Sequence, residues 1–135
     1  MSSIDQPGSG SKASVWTGRI LSSLAILLFL FTGSLSLLKP AVAAQGFAHY
    51  GYPGGDLARI AVVEIACALV YAIPPTSVLG AILLTGYLGG AVATHVRVGE
   101  PPYLAMVVGI VVWVGVFLRD ARVRAVIPLR RAPAR

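Results

Sequence analysis

Glu64 stands in a run of Ile, Ala, Val and Leu. Lys39 closes an earlier apolar run, and Thr94, His95 and Arg97 close a later one just before Glu100 and Pro101-Pro102. A carboxyl, an imidazole and an amine placed this way are the groups of acid–base chemistry, able to exchange a proton or polarise an oxygen of a bound molecule. Ionisable groups at the centre of an apolar helix are costly, nominally about 2.5–3.5 kcal/mol for Asp, Lys or Arg, so they are retained with a partner or for a function. For Glu64 the candidate partners are Lys39, His95 and Arg97. Two readings stay open: a buried ion pair locking three helices together, or a proton donor and acceptor facing a lipophilic ligand. His95 either hydrogen-bonds a ligand carbonyl or is a structural histidine bonded to Glu64 or the helix end. Arg97 and Lys39 suit snorkelling anchors at helix ends as well as ligand contacts. The candidate catalytic residues are therefore Glu64 and His95. The candidate substrate-binding residues are Lys39, Thr94, Arg97, Tyr71 and Tyr87. His49, His95, Asp56 and Glu64 have no metal-ligand spacing, and no metal site is expected. Cys67, the single cysteine, rules out a disulfide within the chain and reads as a packing residue.

The elements that must position these groups read as membrane helices. The chain is 56% hydrophobic and 12% charged, about half the charge of a typical soluble domain. Net charge is +6, but the basic residues flank apolar runs without interleaved aromatics, which points to membrane topology and away from nucleic acid. Residues 1–14 read as a disordered Ser/Gly-rich leader. Ile20–Leu38 is the first span, ended by Lys39-Pro40; a cleaved signal peptide ending at Ala41–Ala44 is the rival reading, for which the apolar run is too long. Ala41–Asp56 is a connector with a short interfacial helix over Ala41–His49 and boundary aromatics Tyr50 and Tyr52. Leu57–Ile73, Val78–Val96 and Tyr103–Leu118 are the second, third and fourth spans, and Pro74-Pro75 is a tight turn. Residues 119–135 form an arginine-rich tail suited to an anionic lipid surface.

Four spans put both termini on one side with eight of the eleven Lys and Arg residues, which the positive-inside rule assigns to the cytoplasm. Glu64 then lies about 10 Å deep from the outer face. Three polar stripes follow helical spacing: Thr32, Ser36 and Lys39; Ala61, Glu64, Ala68 and Tyr71; and Tyr87, Gly90 and Thr94 with His95 beside them. Gly86 and Gly90 form a GxxxG pair, a surface on which helices approach closely in lipid.

Gly33 through Lys39-Pro40, Gly51-Tyr52-Pro53, Glu64, Ile73-Pro74, Leu79-Gly80-Ala81 and above all the string Gly86 to Arg97, GYLGGAVATHVR, resemble the DoxX-like family of small four-helix membrane proteins. The resemblance runs from about Gly18 to Leu118. It implies an uncut first span and an all-α, four-helix transmembrane bundle over residues 15–118. The wider family is named for a subunit of a thiosulfate:quinone oxidoreductase, and many members have no assigned reaction. Chemistry by paired cysteines is not open to this chain. The function expected is an outer-leaflet polar pocket of Glu64, His95, Lys39 and Arg97 that binds a lipophilic or quinone-like molecule for acid–base or redox-associated work. No covalently bound cofactor is expected, and a quinone is the candidate ligand. An accessory subunit packing on another membrane protein and a small oligomeric transporter are the alternatives. The expected setting is a bacterial-type plasma membrane, with a homo-oligomer or a membrane-protein partner.

Overall fold

A computed structural model describes residues 11–52 and 54–127, and every regular element among them is helical. The helices are α1 (Lys12–Leu38), α2 (Pro40–Ala48), α3 (Gly54–Ala72), α4 (Ser77–Arg97), α5 (Tyr103–Arg119) and α6 (Ala121–Val126), with one tight 3-10 turn at Pro74–Thr76. The chemistry of each boundary is local. Ser11 caps α1 by accepting from the Ser14 backbone N–H. Pro40 opens α2 at a position where its missing N–H is unneeded. Ile73 is forced into an extended conformation ahead of Pro74, which stops α3. The freed Val70 carbonyl then accepts from the Thr76 hydroxyl at 2.8 Å.

The four long helices form a ring. α1 packs against α3 and α5, α4 packs against the same two, and α2 lies over α1 and α3. Consecutive long helices run in opposite directions, so one end of the bundle gathers α2, its connector and the α4–α5 turn. The other end gathers the start of α1, the Pro74–Thr76 turn and α6. The core between them is small and tightly filled: Ala25, Phe29, Ala68, Tyr71, Ala81, Leu84, Val112 and Val116 are nearly or wholly buried. Tyr71 ties three helices together. Its hydroxyl donates to the Val112 carbonyl at 2.8 Å and lies 2.9 Å from the Ser22 hydroxyl.

Outside, the bundle is covered by Leu24, Leu27, Phe31, Val62, Leu69, Leu79, Ile82, Leu104 and Ile110, all exposed. Two segments, Lys12–Leu38 and Pro74–Arg97, are long and apolar enough to cross a membrane, and Tyr103–Arg119 is apolar but shorter. α3 carries Asp56, Arg59 and Glu64 within 19 residues, which keeps it out of that class.

Three boundaries differ from expectation. Helix α1 already begins at Lys12, inside the stretch read as a leader; residues 1–10 lie outside the described residues. The connector helix starts at Pro40, one residue earlier than expected. After Arg119 the chain folds into α6, which is capped by Asp120 accepting from the Arg122 backbone N–H and buries Val123. The remainder of the expected tail, 128–135, lies outside the described residues.

Candidate functional site

Glu64 is buried at mid-height of the bundle, 7% exposed. It was expected beside a cation. Instead its Oε1 pairs with the Thr32 hydroxyl of α1, and the Tyr87 phenol of α4 is its other polar neighbour. Among the described residues the ion pairs are His49–Glu100 at 3.0 Å and Asp56–Arg59 at 3.5 Å. Neither involves Glu64, so the locking ion pair with Lys39, His95 or Arg97 is not formed. The reason is depth. Lys39 lies seven residues beyond Thr32 and His95 eight beyond Tyr87, roughly 10–12 Å along their helices. Thr32 and Tyr87 suit either state of the carboxyl. The Thr32 hydroxyl donates to a carboxylate, or accepts from the acid while giving its own proton to the Leu28 carbonyl at 3.0 Å. The Tyr87 ring is held edge-on against buried Phe29, with centroids 6.2 Å apart.

Tyr87 also has a second environment. It lines a cleft of about 350 Å³ between α4 and the connector, together with Phe47, Tyr50, Tyr52, Ile60, Gly86, Gly90, Ala91, Thr94 and His95. Gly86 and Gly90 make the α4 wall of this cleft bare: a Cβ added at either meets nothing within 4 Å. The expected GxxxG packing seam is therefore unoccupied by the described residues. The other wall is aromatic. Phe47 packs edge-on against Tyr50 and Tyr52, at 6.3 and 6.1 Å between centroids.

A polar clasp closes the cleft at its connector end. Tyr52 and Thr94 hydroxyls lie 2.9 Å apart. Tyr50 donates to Glu100 at 2.9 Å, and Glu100 also meets His49. Arg97 donates to the Tyr50 carbonyl and lies over the Tyr52 ring. Two glycines with positive φ shape this clasp: Gly51 at 71° turns the connector, and Gly99 at 78° ends α4 and sends Glu100 back toward it. Glu100 accepting the Tyr50 hydrogen bond, with some burial, pushes the Tyr50 phenol above its usual value. His95 stands at the inner edge of the clasp. Its Nδ1 is 2.7 Å from the Ala91 carbonyl, an atom that can only accept, so Nδ1 carries a proton. Nε2, 3.3 Å from the Tyr50 hydroxyl, is left as the nitrogen that can exchange one.

Of the residues singled out from sequence, Tyr87, Thr94 and His95 line the cleft, and Glu64 touches it through Tyr87 alone. Arg97 braces the clasp from outside. Lys39 is exposed at the joint between α1 and α2, away from the cleft lining. Tyr71 shares the buried α3 face with Ala61, Glu64 and Ala68 as expected, but two turns deeper, as a structural tie. Residues not singled out for the site are Phe47, Tyr50, Tyr52 and Ile60 on one wall, Gly86, Gly90 and Ala91 on the other, and Thr32 as the partner of Glu64. The aromatic spacing of the connector carried the signal for the first three.

Residues 20–117 match the sequence model of the DoxX-like family. No curated protein and no solved structure matches the chain.

Proposed function

The chain belongs to the DoxX-like family, and on that premise we propose that it is a four-span integral membrane protein whose cleft binds a lipophilic, oxygen-bearing molecule such as a quinone. The observation that carries this reading is Tyr87, shared between an apolar, aromatic cleft and a buried carboxyl with no cation beside it. The cleft volume falls at the lower end of the roughly 300–1,000 Å³ range of small-molecule sites, and its few polar atoms converge on one end. Tyr87 donates to a ligand oxygen and is resupplied by Glu64; His95 Nε2 exchanges a proton at the mouth. Thr94 and Tyr52 orient the ligand's second polar group. Arg97 keeps the aromatic wall in place. Apolar exposure on all four long helices supports a bilayer around the whole bundle, and the distribution of basic residues supports cytoplasmic termini.

The bare face of α4 at Gly86, Gly89 and Gly90 favours one second reading, an accessory subunit that receives a partner's helix there. A transporter is less well supported: Tyr71, Leu84, Val112 and Val116 fill the bundle below the cleft.

Mass spectrometry of lipophilic molecules extracted from the purified protein separates these readings. The expected result is an oxygen-bearing lipophile recovered from the wild type and lost from Gly90→Leu, which fills the cleft. Equal recovery from both proteins would overturn the ligand reading, and loss of a co-purifying protein from Gly90→Leu would establish the accessory one.

A further inference from the structure

At the end of the bundle opposite the cleft, we propose a binding site for one anionic phospholipid, with its phosphate against Arg19 and Arg119 and an acyl chain in the groove beside α6. A hollow of about 190 Å³ is lined by Arg19, Pro74, Ser77, Arg119 and Asp120. A larger hollow of about 420 Å³ adjoins it, sharing Pro74 and Asp120, and its other walls include Val78, Trp113, Val123 and Val126. A small basic recess adjoining a larger, mostly apolar one has the polarity of a phospholipid's headgroup and chain.

The two arginines are held in place while keeping donors free. Arg119 lies 5.0 Å from the Tyr71 ring centroid and donates one bond to the Tyr71 carbonyl at 3.3 Å. Arg19 lies over Trp16 at 5.5 Å. A guanidinium has five N–H donors in a fork that fits phosphate oxygens, so most remain for a ligand. Among the described residues neither arginine is in an ion pair. The nearby carboxylate, Asp120, is engaged in capping α6. Arg122 adds a further positive charge to the rim of the groove. A soluble phosphate ester would satisfy the arginines alone. The adjoining apolar groove, and exposed Ile20 and Leu24 on α1 directly beyond Arg19, place the recess where headgroups meet acyl chains. Basic pockets between helices at that level bind acidic headgroups. This site needs the bundle to lie in a bilayer, and it is independent of what occupies the cleft.

The test is native mass spectrometry of the full chain in detergent, titrated with phosphatidylglycerol and with phosphatidylcholine of the same acyl chains. The expected result is a single phosphatidylglycerol adduct favoured about tenfold over phosphatidylcholine. That preference disappears in Arg19→Glu, falls about fivefold in Arg119→Gln, and is unchanged in Arg59→Gln at the other end of the bundle. Circular dichroism checks that each variant is folded; should Arg19→Glu not fold, Arg119→Gln carries the comparison. Equal affinity for the two lipids would overturn the proposal. So would a preference that survives in the folded arginine variants, or one that Arg59→Gln lowers as much. Displacement of phosphatidylglycerol by an equal concentration of glycerol 3-phosphate would assign the recess to a free phosphate ester instead.

Discussion

Glu64 sits between two hydroxyls, and that arrangement fixes what its replacement does. Gln keeps the shape and a hydrogen bond to Thr32, so Glu64→Gln should lose about 1 kcal/mol or less, in line with interhelical hydrogen bonds in membranes. Ala leaves a void facing Thr32 and Tyr87 and should lose about 2 kcal/mol or more. Unfolding of the detergent-solubilised protein measures both. In the proton-exchange reading, ligand binding by the wild type changes with pH, and Glu64→Gln alters that profile while His95 stays in place. An unchanged pH profile in that variant would remove Glu64 from the chemistry. Tyr50 offers a test at the clasp. Its phenol is raised chiefly by donating to Glu100, so the folded state holds this proton more tightly than the unfolded chain. That contribution is complete below the unfolded phenol value and is lost as pH climbs through the raised one. Ultraviolet titration of the phenolates should show one tyrosine moving to lower pH in Glu100→Gln; a superimposable titration would mean that the Tyr50–Glu100 bond is absent in solution.

Helix pairing depends on glycines, and on different ones from those the spacing of α4 suggests. A Cβ at Gly80 would lie 2.3 Å from Tyr71 backbone atoms, and one at Gly115 would lie 2.6 Å from the Ser22 hydroxyl and 3.1 Å from the Tyr71 hydroxyl. Gly80→Ala and Gly115→Ala should each cost about 1–3 kcal/mol through overpacking, whereas Gly86→Ala meets open space and should leave thermal stability unchanged. Thermal melts in one detergent compare the three, and equal melting temperatures would contradict the packing described. The helices themselves were legible in the hydropathy and prolines: Pro40, Pro74-Pro75 and Pro101-Pro102 delimit them, and the short connector helix was expected in place. The partners were not legible. Thr32 and Lys39 share a face, but which one meets Glu64 depends on how deep α1 sits against α3. That offset comes from contacts such as Gly18 against Gly115 and Gly33 against Ile65, which join distant parts of the chain. For the same reason the Gly86–Gly90 pair signalled a packing surface while the fold leaves it facing a cleft. The six-residue α6 was missed because its hold on the bundle is a few tertiary contacts, among them Arg124 donating to the Leu118 carbonyl at 3.1 Å.

For the molecule as a whole, the number of crossings separates two arrangements that hydropathy alone leaves open. If only α1 and the α4 segment cross the bilayer, α2, α3 and the Pro74–Thr76 turn all lie on one side, opposite Lys12. If all four long helices cross, the turn lies on the same side as Lys12, and Arg59 lies opposite both. The packing favours four. α3 and α5 each touch both α1 and α4, so neither can leave the layer the other two occupy without breaking the ring. Their outer faces, Val62, Val63 and Leu69 on α3 and Leu104, Val107 and Ile110 on α5, are exposed and would form an apolar surface larger than water-facing monomers carry. The charged residues of α3 are no obstacle to a crossing: Asp56 and Arg59 pair near its first turn, which a crossing α3 would hold at headgroup level, and Glu64 faces inward. Single cysteines at Lys12, Arg59 and Pro75, introduced into a Cys67→Ala chain, test this with a membrane-impermeant maleimide on intact cells and on opened membranes. Four crossings with cytoplasmic termini require labelling of Arg59→Cys in intact cells, and of Lys12→Cys and Pro75→Cys only after the membrane is opened. Pro75→Cys labelled together with Arg59→Cys would reduce the crossings to two and set the connector and the Arg97 end of α4 on opposite sides of the membrane, so the cleft between them could not form, and the premise that its ligand arrives from lipid would fall with it.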